Sequence, residues 1–359
     1  MLPSHWSAGV GGAEMQVHML LERLLELDRF DIHYLTRDAA PEYVARGYQL
    51  HRVPARRAFA GTHTLELPAI VSRLAAIDAD VVYQRIGGTY TAAAAWFARR
   101  RNRRMVWHVS SDRDVSPLPW QASLRCAIGQ LDRALINYGA RRATQVIVQN
   151  REQQQLASKY LGRTDALLIP NFHALPVARP AKDDCAITVC WIGNIKQLKQ
   201  PEVFLRLATD LQGLPGVRFV MAGAPQMPQS DWIALQAAIH AIPGLTYVGK
   251  LELDAVNALL DGAHVLVNTS QYEGMPNTFI QGWMREVPVV SLAANPDGLL
   301  SDGLLGFECG GSYDSLRDAT KRLVTDPALR QAIGARAAEH ATARFSTANL
   351  AALIEVLSG

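Results

Sequence analysis

Short β-rich apolar runs recur along this chain, each separated from the next by a longer stretch of helical periodicity, and that alternation constrains the fold more than any other feature. Candidate strands fall at 32–35, 50–53, 81–83, 105–109, 146–148 and 167–169, then at 188–192, 219–222, 245–248, 265–268 and 287–291. Parallel strands need long crossover connections, and the helical stretches supply them. Between 13 and 27, for example, Val17, Leu20, Leu21, Leu24 and Leu25 share one helical face. The expected class is α/β with parallel sheets.

At 359 residues the chain exceeds one ordinary core, so two domains are expected. The segment PNFHALPVARPAKDD, residues 170–184, carries three prolines and little periodicity and reads as the linker. The division expected is a Rossmann-like domain over 1–175, a second over 176–345, and a terminal helix over 346–359 at the domain junction. The opening is anomalous. A doubly wound domain normally begins with a strand that delivers the chain to its first glycine turn. Here GVGG is reached after eight residues, and MLPSHWSA is a poor strand. The reading is that the first strand is missing and that the assigned start is internal, with an apolar strand encoded upstream.

No apolar run approaches the ~20 residues of a spanning helix, and the start lacks the basic and apolar segments of a signal peptide. Cys126, Cys185, Cys190 and Cys309 form no CxxC pair, which argues against a zinc site or a disulfide framework and fits a reducing cytoplasm. Charge is unevenly spread: 23 Lys and Arg stand against 15 Asp and Glu in residues 1–180, and 13 against 18 in the rest. The densest basic patch, WFARRRNRRMVW at 96–107, holds five arginines from Arg99 to Arg104 beside Trp96 and Phe97. It suits anionic headgroups or an acidic substrate, or is simply a solvated helix end. Nucleic acid is not expected, because no helix-turn-helix, RNA-recognition or zinc-finger signature accompanies the charge. No P-loop occurs, and GVGGAE lacks the full dinucleotide spacing after a strand.

The chemistry concentrates in SQYEGMPNTFIQGW, residues 270–283. Asn268, Thr269 and Ser270 close a parallel strand, and ligands of open α/β sheets bind outside such carboxyl ends. Gly274 allows the backbone to turn close to a ligand, Pro276 suits a helix start, and amides of Asn277 and Thr278 would face an anion. Glu273 beside an anion site is better suited to accept hydrogen bonds from hydroxyls than to touch phosphate. A sugar nucleotide offers both groups.

EGMPNTFIQ followed by VPVVSL resembles the signature of the GT-B retaining glycosyltransferases of glycosyltransferase family 4, in which two glutamates are separated by seven residues. The first falls on Glu273 and the second on Gln281, a departure. The resemblance implies that Glu273 contacts the donor sugar, with Gly274, Met275, Pro276, Asn277 and Thr278 around it, and that Gln281 meets the ribose. Gly11 and Gly12 in GGAE match the family's glycine turn near the donor phosphates. WIGNIKQLKQPEVFLRLA, residues 191–208, resembles its diphosphate-binding element, with Gly193, and Lys199 at the lysine position. Asn194 stands where the family has arginine, and Lys196 is the candidate replacement for its charge. His108, closing RMVWHV, matches a histidine near the anomeric carbon. Asp112 and Arg113 are acceptor-pocket candidates, and Asn150 and Asn171 match polar positions facing the cleft between the two domains. The D-x-D spacings at 112–114 and 78–80 are discounted as metal sites, since two sheet domains suit a metal-independent enzyme.

The resemblance therefore implies a GT-B architecture, transfer of a sugar from a nucleoside-diphosphate sugar to a hydroxyl acceptor with retention, and no metal or other cofactor. The acceptor expected is a saccharide or lipid-linked saccharide, in surface polysaccharide or glycolipid synthesis, with peripheral contact at the inner membrane face through Arg99 to Arg104. Two alternatives stay open: a sugar-nucleotide epimerase on the same fold, and a nucleotide-sugar-binding protein impaired by Asn194 and Gln281.

Overall fold

The computed structural model describes residues 1–9, 11–54, 64–118, 124–178, 182, 183 and 185–359, without the side chains of 124–127. Val10 of the glycine turn, 179–181 and 184 of the proline-rich segment and the Cys126 side chain lie outside the described residues. The chain divides into two compact units, Met1–Phe172 with Ala348–Gly359, and His173–Thr347.

The first unit contains α1 (Gly12–Leu27), β1 (His33–Thr36), β2 (Gln49–Arg52), α2 (Leu67–Ile77), β3 (Val81–Arg85), α3 (Thr89–Arg101), β4 (Arg104–His108), α4 (Asp112–Val115), α5 (Leu124–Arg142), β5 (Gln145–Val148), α6 (Arg151–Leu156) and β6 (Leu167–Leu168). β1 and β2 pair in parallel, and β3, β4, β5 and β6 form a parallel sheet in sequential order. Side chains alternate across that sheet as the period of a strand requires. Met105, Trp107, Val146 and Val148 bury one face against the alanines and Phe97 of α3, while Val106 and Ile147 bury the other with Leu20 and Phe172.

Residues 1–5, too poor in strand formers for the sequence to mark them, lie along β1. Leu2 donates its amide to Leu35 (3.3 Å), Arg37 donates to Pro3 (3.1 Å), and His5 donates to Asp38 (2.7 Å). The Met1 amino group donates to the Tyr83 carbonyl (2.7 Å), so this segment bonds to both β1 and β3. Only Ser4 forms a ladder bridge, with Asp38.

The second unit runs β7 (Ile187–Ile192), α7 (Pro201–Leu211), β8 (Val217–Ala222), α8 (Gln229–His240), β9 (Leu245–Tyr247), α9 (Leu253–Asp261), β10 (Val265–Asn268), α10 (Asn277–Trp283), β11 (Val289–Ser291), β12 (Gly306–Glu308), α11 (Tyr313–Thr325) and α12 (Pro327–Arg344). Its six parallel strands take the order β12-β11-β10-β7-β8-β9. The order reverses between β7 and β10, and sheets of this kind bind ligands just outside the carboxyl ends at such a reversal. Edge strand β12 is an addition to the sequence reading. Its first residue, Gly306, has φ 147°, and a Cβ there would lie 2.0 Å from the Val289 carbonyl oxygen, so glycine alone allows the pairing.

After α12 the chain returns to the first unit as α13 (Ala348–Ser358), whose Leu350, Leu353 and Ile354 pack with Leu20, Val106, Ile147 and Phe172.

Candidate active site

At the reversal point of the second sheet, hydrogen bonds stitch the loops after β7 and β10 together. Thr269 Oγ1 accepts from the Trp191 indole (2.8 Å) and donates to the Lys199 carbonyl (2.5 Å). The Gln271 amide donates to the Leu198 carbonyl (3.0 Å). Asn268 fixes the end of β10, its Oδ1 accepting from the Ser270 amide (3.1 Å) and its Nδ2 donating to Ser270 Oγ (3.2 Å). These bonds bring Lys199 Nζ onto Glu273 Oε1 as an ion pair, with side chains only 19% and 16% exposed. Gly193 lies against the aliphatic part of Lys199. Next to it, Gly223 has φ 152°, and a Cβ there would stand 1.8 Å from the Gly193 carbonyl oxygen. Lys196, half-buried on the same loop, accepts the Lys199 amide at its carbonyl (2.9 Å).

Pro276 opens α10, whose first turn carries no side-chain cap. The helix has seven residues, of which Phe279, Ile280 and Trp283 are fully buried, and Met275 joins the same cluster. Asn277 Oδ1 is 3.3 Å from Nε2 of His173. Burial pushes the pKa of His173 down to about 4, with the Asn277 bond opposing the shift. Gln281 is buried and donates to Asn257 Oδ1 on α9 (3.1 Å).

In the first unit, Arg85 and His108 face each other in register at the carboxyl ends of β3 and β4. His108 is 1% exposed, and its Nδ1 lies 2.9 Å from the Tyr83 hydroxyl. Burial, and secondly the charge of Arg85, hold its pKa well below the usual histidine value, so the ring is neutral. Arg85 donates through Nη2 to Asn171 Oδ1 (2.6 Å). Asn150 caps α6, accepting the Gln153 amide (2.7 Å), and Asp112 accepts from Gln153 Nε2 (3.0 Å), so one glutamine ties two acceptor candidates together. Arg113 is exposed. Gly11 is the N-cap of α1, with Gly12 its first residue.

The sequence profile of the family described as Glycosyl transferases group 1 matches residues 186–326, and that of the Glycosyl transferase 4-like domain matches residues 11–171. The chain belongs to the GT-B glycosyltransferases of the family-4 type. This glycosyltransferase is similar to the D-inositol 3-phosphate glycosyltransferase of Mycobacterium avium strain 104, at 30% identity over 166 residues, 44% of this chain and 38% of that protein. The match thus spans less than half the length of the curated relative. Among solved structures it is similar to sucrose-phosphate synthase from Thermosynechococcus elongatus, with TM-score 0.78 and 16% identity over 99% of this chain and 94% of the other. It is also similar to Anabaena HepE in complex with UDP and glucose, with TM-score 0.76 and 16% identity over 99% and 98%. At these identities the likeness is one of fold.

Placed in this GT-B glycosyltransferase, the sequence candidates separate. Gly193, Lys199 and Glu273 come together at the reversal point, whereas the Gln281 side chain is held by Asn257. Neither D-x-D spacing is spare. Asp114 Oδ2 accepts from Ser110 and Ser111 amides (3.0 and 3.2 Å), and Asp78 and Asp80 pair with Arg103 (3.1 and 2.6 Å). Among the described residues no group of three or more His, Cys, Asp or Glu could hold a metal ion. The basic patch needs correction. Arg103 is bound to those two aspartates and Arg104 donates to the Val356 carbonyl (2.6 Å), leaving exposed Arg99, Arg100 and Arg101 with Trp96. No helix among the described residues is long and apolar enough to cross a membrane. The residue that sequence reading missed is Arg85. Its signal was a charged residue ending the otherwise strand-like run VVYQR.

Proposed function

We propose that the protein transfers a sugar from a nucleoside-diphosphate sugar to a hydroxyl acceptor with retention of anomeric configuration. The observation that carries this reading is the Lys199–Glu273 pair at the carboxyl ends of β7 and β10. A lone ammonium suits a diphosphate and a carboxylate suits sugar hydroxyls, and at the reversal point of a parallel sheet both serve one ligand. Before donor arrives each neutralises the other; on binding, Lys199 turns to the diphosphate and Glu273 accepts from the sugar.

In the reaction the bond between the anomeric carbon and the diphosphate oxygen breaks, and the acceptor oxygen bonds to that carbon from the face just vacated. The acceptor proton passes to the departing diphosphate oxygen. No enzyme nucleophile, metal or further cofactor is required. Lys199 stabilises the negative charge that grows on the leaving group, the largest single contribution such a site makes. With the Tyr83 hydroxyl donating to Nδ1, neutral His108 carries its proton on Nε2 and offers it to the sugar near the reacting carbon. The setting proposed is polysaccharide or glycolipid synthesis on the cytoplasmic side of a membrane, with Arg99 to Arg101 and Trp96 as a peripheral contact.

Anabaena HepE, a neighbour in fold, was solved with UDP and glucose, which favours a uridine donor. A thermal-shift panel of UDP, GDP, ADP and their sugars tests the donor site, because a ligand bound only by the native state raises apparent stability. A rise with one nucleotide family, followed by acceptor-dependent release of that diphosphate, is expected. Donor consumption without acceptor would identify an epimerase, and no response to any nucleotide would remove the reading.

A further inference from the structure

The carboxyl edge of the first sheet holds buried polar nitrogens with no hydrogen-bond partner among the described residues: Nε and Nη1 of Arg85, Nδ2 of Asn150 and Nε2 of His108. Arg85 is the unusual one. It is 1% exposed, its Nη2 donates to Asn171 Oδ1 (2.6 Å), and its guanidinium also faces the neutral Tyr83 hydroxyl. The other buried arginines are differently placed. Arg163 pairs with Asp165 and donates to the Ala140 and Ala143 carbonyls, Arg285 pairs with Asp261, and Arg330 donates to the Leu323 and Val324 carbonyls. No carboxylate among the described residues forms an ion pair with Arg85. A desolvated guanidinium without a counter-charge is strongly unfavourable, and folds retain one where a ligand completes it.

The missing partner has a definite chemistry. One Nη2 hydrogen of Arg85 goes to Asn171, and the other, with the free Nε or Nη1 hydrogen on its side, makes a rigid planar fork that matches two oxygens of one carboxylate or phosphate. The Asn150 amide adds a further donor from the next strand end but one. Arg85 is also the register partner of His108, so a group bound to it stands one strand from the residue placed near the anomeric carbon. We infer that Arg85 seats an oxyanion carried by the acceptor, so that the acceptor is an acidic hydroxyl compound, a phosphate monoester or a hydroxy acid, rather than a neutral saccharide. The inference rests on the transfer reading for the word acceptor, though not for the anion seat itself.

The test is a melting series without donor, using inorganic phosphate, glycerol 3-phosphate, lactate and glycerol as probes on the wild type, Arg85→Gln and Lys199→Ala. Phosphate and at least one of glycerol 3-phosphate and lactate should stabilise the wild type and Lys199→Ala, and glycerol should not. That stabilisation should vanish in Arg85→Gln, and comparing the two organic anions tells phosphate from carboxylate. An anion held at Lys199 gives the reverse pattern; that result, or anion stabilisation equal in Arg85→Gln and wild type, or none in the wild type, overturns the inference. Should Arg85→Gln not fold, Arg85→Lys keeps the charge without the fork, and its anion affinity should fall at least tenfold; unchanged affinity overturns the seat. Nucleotide response separates the two readings. Anion binding through Arg85 without any response to UDP, GDP or ADP upholds the seat and removes the transfer reading.

Discussion

An ammonium and a carboxylate that neutralise each other at the end of a strand pair cost little to hold and are quickly released to a ligand. At 19% and 16% exposure the pair is mostly buried, and leaving Glu273 without its partner costs about 1 to 3 kcal/mol, so Lys199→Ala should lower the unfolding midpoint modestly. Transfer should nevertheless fall ~10² to 10³ fold, the usual effect of removing one preorganised donor to a leaving group. Steady-state rates beside a denaturation curve check both halves, and an unaltered rate removes Lys199 from the chemistry. Lys199 and Glu273 were each legible in the sequence, because each follows a strand within a recognisable motif. Their contact was not, since it depends on β7 lying next to β10, a neighbour relation that local sequence does not encode. Arg85 escaped for a similar reason. A single arginine after VVYQ carries no spacing signal, and only the buried surroundings of the sheet edge give it meaning.

Among the elements, the parallel strands were readable wherever several β-branched or aromatic residues ran together, and unreadable where backbone geometry did the work. β12 is three residues long and begins with a glycine that a sequence reader takes for a turn. Residues 1–5 contain Pro3 and Ser4, yet bond along β1 through their backbone. Gly223 shows how sharply such geometry is set. Its φ of 152° and the Gly193 carbonyl 1.8 Å from an added Cβ leave alanine no place. Gly223→Ala should cost roughly 1 to 3 kcal/mol by overpacking, more if the backbone strain is not relieved, visible as a lower urea midpoint. Because Gly193 leads into the Lys199 loop, nucleotide affinity should fall with it. A variant of wild-type stability and affinity would show that the strand ends yield more freely than these distances imply.

For the whole molecule the consequence is a one-sided response to acid. His173 titrates near 4 when folded, against about 6.5 in an unfolded chain. Above 6.5 both states are neutral there and stability is flat; as pH falls from 6.5 towards 4 the unfolded state takes up a proton that the native state refuses. That one residue removes about 3 kcal/mol by pH 4, and His108, shifted the same way, adds to the loss. Denaturant unfolding at pH 7.5, 6, 5 and 4 should give a plateau followed by a decline. His173→Gln should shallow the decline, and equal slopes for variant and wild type would show that His173 is not the group responsible.

His173 has a second part to play, through its backbone. Its amide donates to the Phe345 carbonyl at 2.9 Å, so the places where the chain enters and leaves the second unit are fastened together. The stretch from 173 to 347 is therefore a cassette with clasped ends. On the proposed reading this stretch holds the donor, so grafting in the equivalent stretch from another family member through two splices should exchange the sugar supplied while the recipient keeps its own acceptor.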